Sequence, residues 1–333
     1  MSVIYVASDQ QGAGKTALCA SLTDRLRKSE RSAVAWKPVA RSADDGDAKT
    51  FETLLGQPAS GEPTQLDDGA LSPQKLDEIK TKAAEVGRDT DVLLVEGEAG
   101  LDPATARQLI DALDAKVLVV VPYRPGLEPS HMEHWRGLAD GRLAGFVINS
   151  LTRYRGSDVE DRLAPALATA GLPCFGAIPE ERRLLALTVG QVADLLDGRF
   201  LACEDRADSL VEHFMVGGWM LDPAELVFGM RENKAVIARG DRPDIQMAAL
   251  ATPTACIVLT EGIAPIEYVQ YEAEQEQVPL IVTDSDTLTT MERLEGAVER
   301  ARFDHPAKLQ RLGELVDRHL DLPALFAAGG VSG

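Results

Sequence analysis

The sequence predicts an α/β protein in which a parallel sheet carries helices on both faces and a smaller α/β domain follows. Three observations carry that prediction. Short β-branched apolar runs alternate with longer helical patterns, a rhythm that requires right-handed crossovers between parallel strands. The runs VLVVV at 117–121 and GFVIN at 145–149 are almost wholly apolar, as strands covered on both sides are, rather than alternating. The rhythm pauses near 198–205 (GRFLACED) and restarts, and 333 residues exceed the roughly 250–300 at which a single core stops growing.

Taken in order, strands are expected near 3–7, 32–36, 91–96, 116–121, 143–149 and 173–177, and helices near 15–28, 48–55, 74–86, 103–112 and 156–170. Residues 57–73, QPASGEPTQLDDGALSP, are polar and interrupted by Pro and Gly, so a surface loop is expected there. After the pause, strands are expected near 234–238, 255–259 and 279–283. The stretch 306–326 sets Leu309, Leu312, Leu315, Val316 and Leu320 at helical spacing, an amphipathic helix for one domain or a partner. The expected domains are therefore 1–198, 205–300 and a helical segment 301–333.

Composition narrows the function. With 53 acidic against 34 basic residues, the formal charge of −19 repels phosphate backbones and anionic lipid, and no basic patch offsets it. Nucleic acid and membrane are not expected partners. Met1-Ser2-Val3-Ile4-Tyr5-Val6 lacks the basic start and cleavage site of a signal peptide, and runs such as VLVVV fall far short of the roughly 18 apolar residues of a membrane helix, so a cytoplasmic location is expected. Cys19, Cys174, Cys203 and Cys256 lie far apart without metal-ligand spacing and read as buried reduced thiols.

The informative stretch is ASDQQGAGKTAL at 7–18, between the first strand and the first helix. Strand, glycine loop, Lys-Thr and helix form a phosphate cradle: backbone N–H groups and the helix N-terminus face the anion, Lys15 reaches the β- and γ-phosphates, and Thr16 offers a hydroxyl to magnesium. Gly12, Ala13, Gly14, Lys15, Thr16 and Ala17 make up that cradle. The full GxxxxGK[ST] pattern is broken, because Asp9 stands at the first glycine. Lys37 leaves the second strand at the carboxyl edge where open α/β sheets bind ligands, an acidic cluster of Asp44, Asp45 and Asp47 follows, and Glu96 ends the buried strand of DVLLVEGEAG. A carboxylate so placed reads as a Walker B group acting on magnesium.

These segments, with WKPVA, DGDAKTFETLLG, GFVINSL and LPCFGAIPEERRL, resemble in order and spacing the dethiobiotin synthetase-like P-loop proteins, including the N-terminal region of long phosphate acetyltransferases. The resemblance covers about residues 1–195. It implies that Thr16, Asp47 and Glu96 hold Mg²⁺, that Lys37 acts on substrate and the transferring phosphate, that Asn149 touches adenine, and that the chain near Pro179 walls the base pocket. Where dethiobiotin synthetases carry VEGAGG, this chain has VEGEAG, which sets Glu98 on the expected substrate side. Gln10 replaces the second lysine of the partitioning ATPases.

In the second region, VIARGDRPDI delivers Gly240-Asp241-Arg242 to a turn, with Asp244 at the expected helix N-cap. A plain turn and a ligand site are both open readings of these residues. The surroundings, from EHFMVGGWML to VPLIVTDSDTLTTMERLE, resemble a DRTGG domain over roughly 205–300, with Pro243 where Thr is more usual. The resemblance makes Gly240, Asp241 and Arg242 candidates for contacting a small anionic ligand. In long phosphate acetyltransferases this domain precedes the acyltransferase region, for which 333 residues leave no room, so acetyl transfer is not expected. The expectation is a phosphotransacetylase-like regulatory protein that binds Mg-ATP, with possible slow hydrolysis and homodimer formation. The alternatives are an ATP-dependent ligase or amidase-like enzyme activating a small carboxylate or carbamate, and a scaffold whose loop no longer binds nucleotide.

Overall fold

The computed structural model describes residues 1–41, 46–58, 60–66, 71–218, 224–298 and 301–331. The chain divides into two compact units, one made of Met1–Glu181 with Phe303–Gly333 and the other of Arg182–Arg302.

The first unit is built on six strands, β1 (Ser2–Ala7), β2 (Ala33–Trp36), β3 (Val92–Glu96), β4 (Lys116–Pro122), β5 (Leu143–Leu151) and β6 (Cys174–Pro179). They are all parallel, in the order β2-β3-β1-β4-β5-β6. Strand order reverses at β1, so ligands are expected at the carboxyl ends of β1, β3 and β4. Every residue of β3 is buried, which explains the uniform apolarity of Val92 to Val95.

The connecting helices start where the sequence supplies caps. α1 is Lys15–Lys28 and α2 is Asp47–Leu55. α3 (Pro73–Val86) and α4 (Pro103–Ala112) each begin at Pro, with Ser72 and Asp102 accepting N–H bonds as N-caps. Short helices α5 (His134–Ala139) and α6 (Ala164–Thr169) complete the crossovers. Within 57–73, the pair Thr64–Gln65 forms a two-residue parallel ribbon with Val39–Ala40.

Among the described residues, the main sheet of the second unit has five strands, β7 (Arg199–Ala202), β8 (His213–Val216), β9 (Lys234–Arg239), β10 (Thr254–Thr260) and β11 (Leu280–Val282), in the order β7-β11-β10-β9-β8. β7 is antiparallel to β11 and the others run parallel. The pause at 198–205 therefore hides an edge strand. α7 (Val189–Leu195) also belongs to this unit: Val189 and Val192 pack beneath Ala235, Ile237 and Val258, so the compact units part at 181/182 rather than after 198.

α8 (Ala224–Phe228), α9 (Pro243–Leu250), α10 (Glu267–Gln275) and α11 (Thr287–Val298) follow. α9 corrects the expected cap. Arg242 is the N-cap, Pro243 takes the first helical position because its fixed φ suits it, and Asp244 falls inside the first turn.

The last residues belong to the first unit and form two helices rather than one, α12 (Pro306–His319) and α13 (Leu322–Ala328). Asp321 stops the run by capping α13, and Leu320 bridges to Gly176 on β6. All four cysteines are free thiols; Cys19 and Cys256 are buried, whereas Cys174 and Cys203 are half-buried. Among the described residues no helix is long and apolar enough to cross a membrane.

Candidate functional site

Sheet register assembles the site. Val6 pairs with Glu96 and Trp36 with Val95, so Lys37, one residue beyond Trp36, emerges level with Glu96. The loop after β1 turns into α1 at Gly14, whose φ of 88° suits glycine, and a Cβ there would lie 2.4 Å from the Asn149 amide nitrogen. Asn149 Nδ2 donates to the Ala13 carbonyl at 2.8 Å, so a residue expected on adenine also braces the phosphate loop. The first turn of α1 carries no acidic side chain and no side-chain cap, which leaves its N–H groups and positive dipole end facing the loop. Pro179 ends β6 beside Leu151 of β5, on the same carboxyl edge.

The charged groups converge. Thr16 Oγ1 donates to Glu96 Oε1 at 2.8 Å. Lys37 Nζ binds Asp47 Oδ2 and lies 3.4 Å from Glu98 Oε2 and 3.9 Å from Glu96 Oε1. Lys15, Lys37 and Glu96 are all buried, at 7%, 4% and 2% exposure, which is costly for charges without a purpose. Burial pushes the Glu96 carboxyl up to about 8; the nearby Asp47 charge adds to this, while Lys37, Lys15 and the Thr16 hydrogen bond oppose it. Burial, with Glu98 and Glu96 close by, also raises the Tyr5 phenol, and burial raises the Cys19 thiol on the inner face of α1.

Glu96 Oε2 is buried with no hydrogen-bond partner. An orphaned carboxylate oxygen beside a threonine hydroxyl and a second carboxylate is a hard oxygen donor set, which fits Mg²⁺. Among the described residues no group of three His, Cys, Asp or Glu could hold a metal alone. A cation at Thr16, Asp47 and Glu96 would complete its shell from phosphate and water, as Mg²⁺ characteristically does. Asp44 and Asp45 lie outside the described residues.

Two features escaped sequence reasoning. Asp9, at the position of the missing glycine, is held by His134 Nε2 at 3.1 Å and by Trp135 Nε1 at 3.2 Å, both from α5. Arg41 donates to the Gly100 carbonyl, tying the chain after β2 to the turn after β3.

In the second unit, Gly240 is forced by contact: a Cβ would sit 1.8 Å from the Ile263 carbonyl oxygen. Asp241 pairs with Arg239 at 2.9 and 3.0 Å, and Arg242 pairs with Asp244 at 2.7 and 2.9 Å while donating to Gly218 O at 3.0 Å. The three candidates thus share one turn, with their charges in local pairs. Gln246, buried beneath the turn, donates to the Arg239 and Gly240 carbonyls.

A family model described as an AAA domain matches residues 2–187, more than half of the chain, and a DRTGG domain model matches residues 191–297. The ATP-dependent dethiobiotin synthetase BioD of Mycobacterium avium is 34% identical over 214 residues, covering 56% of this chain and 90% of that protein. The chain belongs to the dethiobiotin synthetase-like P-loop family. Its P-loop domain is followed by a DRTGG domain, an order also matched by a phosphate acetyltransferase of Acinetobacter baylyi, 23% identical over 375 residues and 96% of this chain. The chain spans about half, 51%, of that relative's length. A cobyrinate a,c-diamide synthase of Syntrophotalea carbinolica is 31% identical over 182 residues, 51% of this chain and 37% of that protein.

Proposed function

We propose that this P-loop protein binds Mg-ATP at the carboxyl edge of its first sheet and hydrolyses it slowly, and that its DRTGG domain is a regulatory module. One observation carries the reading: the Thr16 hydroxyl and Glu96 meet at the start of α1, and the second Glu96 oxygen is buried without a partner. The loop amides and Lys15 would bind the phosphate chain. Bound Mg²⁺, held by Thr16, Asp47 and Glu96, would supply charge neutralisation at the γ-phosphate, the principal means by which proteins accelerate phosphoryl transfer. Lys37 would be the extra cation, and Asn149 and Pro179 would flank the base.

Thermal unfolding with and without magnesium tests this. Millimolar ATP with Mg²⁺ is expected to stabilise the wild type more than ATP alone, and Lys15→Ala to abolish the shift; equal shifts in both proteins would remove the reading. In the second unit, the turn at Gly240, Asp241 and Arg242 is the proposed contact for a small anionic ligand; the proposed setting is a cytoplasmic homodimer, and the acidic charge of −19 disfavours nucleic-acid partners.

A second reading is favoured by the 34% identity across nine-tenths of a dethiobiotin synthetase. In it the site is an ATP-dependent ligase activating a small carboxylate or carbamate. ADP release that depends strictly on an added small molecule would select it over slow hydrolysis.

A further inference from the structure

The phosphate loop is clamped at both ends. At its far end Asn149 donates to the Ala13 carbonyl. At its near end the Asp9 carboxylate is spread over two side chains of α5, with Oδ1 3.1 Å from His134 Nε2 and Oδ2 3.2 Å from Trp135 Nε1. Between the clamps Gln10 and Gln11 are exposed, and Gly12 has open space around it.

The two α5 side chains differ as anchors. His134 is half exposed, so its contact with Asp9 contributes little. Trp135 is only 5% exposed and belongs to the same core cluster as Met132 and Ala139, so packing fixes its ring whatever the loop does. Among the described residues its indole N–H has no other hydrogen-bond partner. A loop that swung away from α5 would strand a donor on a buried ring, which is costly, so the bond favours one loop shape. Position 9 has no need of glycine. Gly12, at 71°, and Gly14, at 88°, take positive φ, and Asp9 does not. A side chain there brings no backbone strain, and this one makes the position an anchor.

We propose that Asp9 is a positioning residue for nucleotide: through Trp135 it holds the first half of the phosphate loop in its binding shape before Mg-ATP arrives. The residue that breaks the glycine pattern therefore strengthens binding. The inference rests on the Mg-ATP reading. The cradle begins at Gly12, a short way beyond Asp9, so freeing position 9 adds loop conformations that binding must then remove.

The test is calorimetric titration of Mg-ATP into the full-length protein, with the indole N–H resonances of its three tryptophans followed by NMR. The Trp135 resonance is assigned by its loss in Trp135→Phe. Asp9→Gly, which restores the glycine pattern, and Asp9→Ala are each expected to bind Mg-ATP about tenfold more weakly than wild type, the factor of one charge-assisted hydrogen bond. In both, the Trp135 resonance is expected to move. Asp9→Asn keeps an acceptor for the indole and should retain most of the affinity. Trp135→Phe should lose affinity as Asp9→Ala does, and combining the two should cost nothing further, because the pair acts as one unit. Wild-type affinity in both Asp9→Gly and Asp9→Ala, an indole resonance unmoved in both, or a further loss in the double variant would overturn the role of Asp9 alone. No binding of Mg-ATP to the wild type would overturn the nucleotide reading and this inference together.

Discussion

Both units contain a run of adjacent parallel strands, yet their carboxyl edges differ in electrostatics. In the P-loop domain the edge buries Lys15, Lys37 and Glu96 and leaves one carboxylate oxygen unpartnered. In the DRTGG domain the corresponding charges are exposed or, for Arg242, half-buried, and are closed into pairs, Arg239 with Asp241 and Arg242 with Asp244. Buried charge is retained only where something offsets its desolvation, whereas surface pairs contribute little and need no ligand. Architecture alone therefore does not set the electrostatics of an edge; which of its charges are buried does.

The largest expected effect tests the buried edge. Folding holds the Glu96 carboxyl at about 8 against an ordinary 4.5, so the protonated form is favoured by the fold. That contribution is fully present below about pH 4.5 and is lost as pH rises through about 8. Without magnesium, Glu96→Gln should exceed the wild type in stability at pH 8–9 by on the order of 4 kcal/mol, the gap closing near pH 5. Denaturant titration across that range checks it, and a constant gap would mean that Glu96 is not strained by ionisation. Added Mg²⁺ should recover the wild type at pH 8 and leave the variant unmoved.

A smaller effect probes the backbone of the second edge. Gly240→Ala sets a methyl group against the Ile263 carbonyl, and neither backbone can yield without disturbing β9 and β10. A loss of about 2–3 kcal/mol is expected in the unfolding of the DRTGG domain, with ATP affinity at the P-loop unchanged. The smallest effect concerns its charges. Asp241→Asn should leave the melting temperature where it is, since its partner Arg239 is exposed and also faces Glu261. A clear drop would place the second edge with the first, as a site whose charges matter.

Much of this was legible in sequence because it is local. The P-loop, the all-apolar strands and the helices near 74–86 and 103–112 are each written within a few residues. That Lys37 and Glu96 share the carboxyl edge was readable from the strands they end; that those strands are adjacent was not. What escaped was non-local or too short to show a period. Asp9 meets His134 across 125 positions, so its partner could not be read from the loop. β7 has four residues, below the length at which alternation is visible. At α9, the fixed ring of Pro243 outweighed the capping preference of Asp244.

One connection also orders events in time. α12 packs on α1, with Arg25 bonded to Asp317 at 2.8 Å, and the whole DRTGG domain lies between them in sequence. During synthesis the outer flank of the phosphate-loop helix stays bare until the chain has emerged as far as His319. The domain made first is thus the one completed last.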